Sequence, residues 1–165
     1  MVIELEYIFN NEGATLDFDF YIDLSAYSIS GNKLFPKPFL VEGKVFNKTN
    51  IVRMKATAVS VMRTQCDRCA GDIEERIEVP VEHILVASLN DENNDDFILV
   101  ESLCLELEPL ITEDIFLALP SRILCKNDCK GLCPYCGQNL NNGQCSCQKP
   151  VDPRLEALKQ LLDNQ

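Results

Sequence analysis

The chain has 165 residues, 46% of them hydrophobic, and a formal net charge of −11. That length supports one domain, or one domain with a small appendage, and enough apolar residues for one core. No apolar run approaches the ~18 residues needed to span a bilayer. Met1-Val-Ile-Glu-Leu-Glu also lacks the basic start and apolar stretch of a signal peptide, so a cytoplasmic protein, or an organellar one without its presequence, is expected, with no membrane partner.

In chain order, residues 2–8 read as a strand and Asn11, Glu12 and Gly13 as the turn that follows. Leu16, Phe18, Phe20 and Ile22 alternate with Asp17 and Asp19, the pattern of a half-buried strand. Residues 39–47 form another strand candidate. The strongest local signal lies at 51–86. Val52, Met54, Ala56 and Ala58 alternate with Arg53, Lys55 and Thr57. Further on, Ile73, Ile77, Val79, Val81 and Leu85 share one parity, with Glu74, Arg76, Glu78 and Glu82 on the other. The spacing predicts a long antiparallel hairpin with Cys66-Asp-Arg-Cys69-Ala-Gly71 at its tip. Pro80 predicts a sheet edge or a bulge.

Residues 90–96 form an acidic, solvated loop, and a short strand is expected at 97–101. Residues 110–119 fit a helix that stops before Pro120, with Thr112 as a possible cap. Asp152-Pro153-Arg154 opens a final helix whose apolar stripe is Leu155, Leu158, Leu161 and Leu162.

Charge is segregated along the chain. Residues 61–120 hold fifteen acids and three bases, whereas residues 121–165 hold four acids and six bases. Residues 31–65 carry seven bases and only Glu42 as an acid. Such segregation marks a partner surface or simply the solvated faces of strands. In the basic stretch, Phe35, Phe39 and Phe46 interleave with lysines. Basic groups neutralise phosphate and rings stack on unpaired bases, so Lys44, Lys48, Arg53 and Lys55 are candidate RNA contacts. The alternative is that these phenylalanines are core.

Of nine cysteines, six are concentrated near the C-terminus: Cys125, Cys129, Cys133, Cys136, Cys145 and Cys147. In a reducing compartment such clustering indicates metal or redox chemistry before structural disulfides. Zinc takes four ligands in a tetrahedron, and a Cys-x2-Cys turn supplies two. Cys133 and Cys136 form one such turn. Residues 137–143 can reverse the chain and return Cys145 and Cys147, while the Cys125-x3-Cys129 pair can replace either. One zinc ion is expected, with two sulfurs spare or the metal shared. The rival is iron–sulfur chemistry, since Cys129, Cys133 and Cys136 have the CxxxCxxC spacing of radical enzymes. A thiol redox switch is a third reading.

Cys66 and Cys69, with Arg63 and Arg68 near them, can form a second half-site, complete a site with Cys133 and Cys136, or simply fill a tight turn. Cys104, between Leu103 and Leu105, reads as core. His83, the single histidine, reads as structural, and no nucleophile–base pair can be built around it.

Taken together, several segments resemble one family. They are the Cys66-Asp-Arg-Cys69 hairpin, the acidic stretch after it, and the helix ending Ala118-Leu-Pro120. To these add the run from Leu124 to Leu140, with Cys-Lys-Gly-Leu-Cys-Pro-Tyr-Cys-Gly at its centre, then Cys145-Ser-Cys147 and Asp152-Pro-Arg-Leu-Glu-Ala-Leu158. This resembles the YceD family, the large ribosomal RNA subunit accumulation proteins of bacteria and plastids. The resemblance covers nearly the whole chain and is specific from about residue 60. It implies a non-enzymatic role in ribosome biogenesis: accumulation or processing of large-subunit (23S) ribosomal RNA through RNA or pre-ribosome binding. It also carries the family's central motif onto Cys66, Arg68 and Cys69. Members that lack the C-terminal cysteines but keep this motif imply two separable clusters, which disfavours a zinc site shared between them.

The expected architecture is therefore a β-rich α+β main domain over residues 1–120, an antiparallel sheet or partly open barrel with a short helix. Residues 121–165 follow as a zinc-binding cysteine segment and terminal helix. Two further functions stand beside the ribosomal RNA reading: a module that binds basic ribosomal proteins, and a zinc–thiolate redox switch.

Overall fold

The computed structural model describes residues 1–29, 32–88 and 97–147. The acidic loop at 90–96 and the helix expected from Asp152 lie outside the described residues.

The described part is a β-rich α+β fold around one open sheet, not a closed barrel. Strands β1 (Val2–Glu4), β2 (Thr15–Ile22), β3 (Ser28–Ile29), β4 (Asn32–Lys33), β5 (Phe39–Lys48), β6 (Ile51–Gln65), β7 (Asp72–Val86), β8 (Phe97–Leu99) and β9 (Cys104–Glu106) are joined by two helices, α1 (Glu6–Asn10) and α2 (Leu107–Leu117). The main sheet has the order β2-β5-β6-β7-β8. Its pairs are antiparallel except β7 with β8, which run parallel. β1 pairs with β9, and β3 with β4, as small separate ladders.

Alternation decides which face is buried. Phe18 and Ile22 on β2, Val41 and Val45 on β5, Met54 and Ala58 on β6, and Val79, Val81 and Leu85 on β7 all face inward. At the centre Gly43 lies opposite Phe18 on one side and Ala56 on the other. A Cβ there would come within 2.6 Å of both side chains and 2.7 Å of the Lys55 carbonyl oxygen, so the close approach requires glycine. α2 covers this face with Leu107, Ile111 and Ile115, spaced one turn apart. His83 on β7 meets Asp114 on α2 at 2.8 Å, which joins the sheet to the helix that covers it.

Three local expectations are corrected. Residues 6–8 are helical, because α1 replaces the second half of the predicted first strand. Buried Asn47 on β5 anchors it by donating from Nδ2 to the carbonyl of Ile8 at 2.9 Å. α2 begins at Leu107, not at residue 110, because Pro109 falls in the first turn, where no intrahelical N–H bond is lost. Thr112 is then inside the helix rather than its cap. Cys104 is exposed rather than core, since Leu105 takes the inward position on β9. Among the described residues Pro80 sits on an edge, since β8 pairs with β7 there only at Ile84, Leu85 and Val86.

Candidate metal centres

Two fifteen-residue strands, β6 and β7, remain paired from Val52↔Leu85 to Gln65↔Asp72 and carry the hairpin tip beyond the sheet. At the tip the Cys66 N–H donates to the Gly71 carbonyl at 2.8 Å, and the Ala70 N–H donates to the Cys66 carbonyl at 2.9 Å. Ala70 takes φ +53°, the left-handed conformation that closes the turn. Both cysteines of the tip are buried.

The chain leaving α2 returns to this tip. The Asp67 N–H donates to the Ile123 carbonyl at 2.9 Å, and the Asp67 carboxylate accepts from the Ile123 N–H at 2.6 Å. Arg68 secures the next turn: its Nη1 donates to the Cys129 carbonyl at 3.0 Å, and its own carbonyl accepts from the Leu132 N–H at 3.1 Å. Cys125 and Cys129 are thereby set against Cys66 and Cys69. The Cys66–Cys129 sulfurs are 3.7 Å apart and the Cys69–Cys125 sulfurs 3.6 Å. All four lie within 4.8 Å of one another. A tetrahedral zinc with Zn–S bonds of about 2.3 Å has S···S edges of about 3.8 Å, whereas a disulfide brings sulfurs to about 2.05 Å. The spacing matches the first case.

Cys133, Cys136, Cys145 and Cys147 form a second set, also within 4.8 Å of one another. Its turn repeats the first. The Gly137 N–H donates to the Cys133 carbonyl at 2.9 Å, as Ala70 does to Cys66, and Gly137 takes φ +72°. A small hairpin supports it, with Leu132 bridged to Asn139 and the Cys133 N–H donating to the Gln138 carbonyl at 2.8 Å. This set is more open, with Cys133 buried but Cys136 and Cys147 exposed. Asn141 ties the first set to the small hairpin beneath the second: its Nδ2 donates to the Cys129 sulfur at 3.3 Å and to Asn139 Oδ1 at 2.9 Å.

Backbone N–H groups polarise both turns. The Cys66 thiol is lowered to about 6 by the N–H of Cys125 first, then by those of Arg68 and Cys69. The Cys133 thiol is lowered to about 6 by the N–H groups of Cys136 and Tyr135. Cys129 is lowered chiefly by the Asn141 amide. Cys125 and Cys147 are pushed up to about 12, chiefly because their thiols donate to Cys129 and Cys136 respectively. Each set therefore combines readily ionised sulfurs with protonated neighbours that share their charge.

The six C-terminal cysteines thus divide two and four. The CxxxCxxC run is split, with Cys129 in one set and Cys133 and Cys136 in the other, so it does not form the single site that radical iron–sulfur enzymes require. The shared arrangement disfavoured by the sequence is the one the fold builds: Cys66 and Cys69 join C-terminal sulfurs, though those of Cys125 and Cys129 rather than Cys133 and Cys136. Arg63 points elsewhere and pairs with Glu74 at 2.7 Å. Asp67 and Asn141 carry no sequence signal of their own, because their roles depend on partners far along the chain.

The basic candidates lie on the outer face of the sheet. Asp17, Lys44, Lys55 and Glu82 form one row across four strands, with Lys55 Nζ 2.9 Å from Glu82. Arg53 and Lys48 lie beyond them, and Lys44 Nζ sits 5.7 Å from the Phe46 ring centroid. Phe35 and Phe39 do not share this face. They are buried edge-to-face at 4.9 Å, so the stacking role is corrected for both, and only Phe46 remains beside the cations. No helix among the described residues is long and apolar enough to cross a membrane.

Comparison with known proteins places these features in a family. An uncharacterized protein of Bacillus subtilis (strain 168), YlbN, is 28% identical over 76% of this chain and 74% of its own length. Uncharacterized proteins of Mycobacterium bovis and Mycobacterium tuberculosis are each 29% identical over 97% of this chain and 68% of their own. No solved structure matches. The family model described as "Large ribosomal RNA subunit accumulation protein YceD" matches residues 54–162, a span that takes in the long hairpin and all eight clustered cysteines, and the chain belongs to that family.

Proposed function

We propose that this protein is a non-enzymatic ribosome-biogenesis factor that promotes accumulation of large-subunit ribosomal RNA by binding the RNA or the pre-ribosome. The family match through residues 54–162 carries the reading. The contact surface is the outer face of the sheet, where Lys44, Lys48, Arg53 and Lys55 come together around the half-buried Phe46. Cations there neutralise phosphates, and the ring offers a stacking surface. A zinc ion in the set Cys133, Cys136, Cys145 and Cys147 organises the C-terminal segment, which is too short and polar to fold by itself.

Crosslinking in cells, followed by sequencing of the recovered RNA, tests the function; precursor large-subunit RNA is the expected catch. Charge reversal at Lys44, Lys48, Arg53 and Lys55 should weaken RNA binding and flatten its log–log salt dependence by roughly 0.7–0.9 for each phosphate no longer neutralised. An unchanged slope would move the binding surface elsewhere. The second reading, a module for basic ribosomal proteins, draws on the exposed acids Glu74, Glu75, Glu78 and Glu82 of β7. It gains if crosslinking recovers ribosomal proteins without RNA.

A further inference from the structure

We infer that Cys66, Cys69, Cys125 and Cys129 form a metal site of their own, so that the chain carries two tetrahedral zinc ions rather than one. This goes beyond the ribosomal reading and does not depend on it. Three observations converge. The first is spacing: both sulfur pairs between the hairpin tip and the returning chain are at 3.6–3.7 Å, close to the tetrahedral edge for zinc.

The second is repetition. The tip Cys66-Asp-Arg-Cys69-Ala70 reproduces the turn of Cys133-Pro-Tyr-Cys136-Gly137. In both, the N–H of the residue after the second cysteine bonds the carbonyl of the first at 2.9 Å, and that residue has positive φ. In both, N–H groups two and three residues on are aimed at the first sulfur. An alanine held at φ +53° where the second turn has glycine shows that the fold enforces this shape against the preference of the residue.

The third is the surrounding hydrogen bonding. Metal-bound thiolates attract N–H donors that fix their orientation. Asn141 Nδ2 donates to the Cys129 sulfur, while Arg68 and Asp67 hold the backbone that carries Cys129 and leads to Cys125. Four thiolates on one divalent ion would leave a net charge of −2, which these donors offset. Soft sulfur ligands and a closed set of four favour zinc in a structural role, with no position left open for a substrate.

Metal counting tests the site on the full-length chain purified without chelator. Native mass spectrometry should find two zinc ions per chain; one ion would overturn the proposal. The paired substitution Cys66→Ser and Cys69→Ser should leave one ion, and so should Cys136→Ser with Cys145→Ser. Retention of two ions by the first variant would also overturn it.

Alkylation of the native, unsubstituted protein supplies a reading that no folding defect can obscure. With both sites filled, Cys104 alone should be modified among nine cysteines. Cys125 decides the matter, because its side chain is exposed, so burial does not protect it and the change in its reactivity on chelation, at one pH, reports the metal. It should be unreactive until a chelator is added. Rapid modification of Cys125 in the zinc-loaded protein would overturn the second site.

Discussion

Asn141 shows how much one side chain can do here. Its amide reaches the Cys129 sulfur and Asn139, and its own Oδ1 accepts from the Lys130 N–H at 2.9 Å. Replacing it with alanine removes the donor that most lowers the Cys129 thiol. Asn141→Ala should weaken zinc binding by roughly 10–100-fold, measured by competition with a chromophoric chelator. An unchanged affinity would leave Asn141 a purely loop-forming role. Acidity should act in a defined direction. The thiols of Cys125 and Cys147, held up near 12, must each lose a proton to bind metal. Zinc affinity should therefore fall as pH falls, and a titration that shows no proton release on binding would contradict this. Little of this was visible in the sequence. The Cys-x2-Cys turns announce themselves by spacing, but an asparagine in a run of asparagines does not.

At the scale of elements, strands were legible wherever one face is wet and the other dry. β2, β5, β6 and β7 follow their alternation almost residue for residue, because each lies on a sheet with one buried face. α1 was not legible. Five residues are too few for a helical period to register, and the element depends on Asn47, 39 positions from the carbonyl it binds. The turn between β5 and β6 was also unmarked. Lys48 pairs with Ile51, so Thr49 and Asn50 form a two-residue connection with φ of +55° and +59°. That geometry favours Asn-Gly and disfavours a β-branched residue at its first position. Thr49→Asn combined with Asn50→Gly should raise stability by about 0.5–1 kcal/mol, seen as a higher urea midpoint with an unchanged slope. A lower midpoint would mean that Thr49 contributes something beyond its backbone shape.

For the molecule as a whole, sequence showed that there were clusters but not how the sulfurs group. Chain proximity suggested six thiols acting together, whereas the long hairpin brings two distant ones back and redistributes the set. Only the register of β6 with β7 and the path of the chain after α2 make that pairing. The charge pattern was misleading for the same reason. The basic stretch looks isolated in sequence, but the sheet places Asp17 and Glu82 at either end of its central row. Stripping metal with a chelator should therefore loosen the hairpin tip and the C-terminal segment together, while the sheet persists. Hydrogen exchange at residues 66–71 and 123–141 should rise in parallel. Independent changes in the two regions would argue against a joint site.

The two clusters differ in how much chain must be organised before they exist. Cys133 to Cys147 form one short local stretch, whereas Cys66 and Cys129 are 63 residues apart. Loop-closure entropy alone disfavours the longer circuit by about 1 kcal/mol, and in practice β7, β8, β9 and α2 must all be laid down first. In a full-length chain that is still folding, the local cluster needs only its own short hairpin, while the hairpin cluster can close only once the sheet and α2 have returned Cys125 and Cys129 to the tip. A metal bound there would serve as a completion mark, because occupancy of that site would distinguish a fully assembled chain from one still folding.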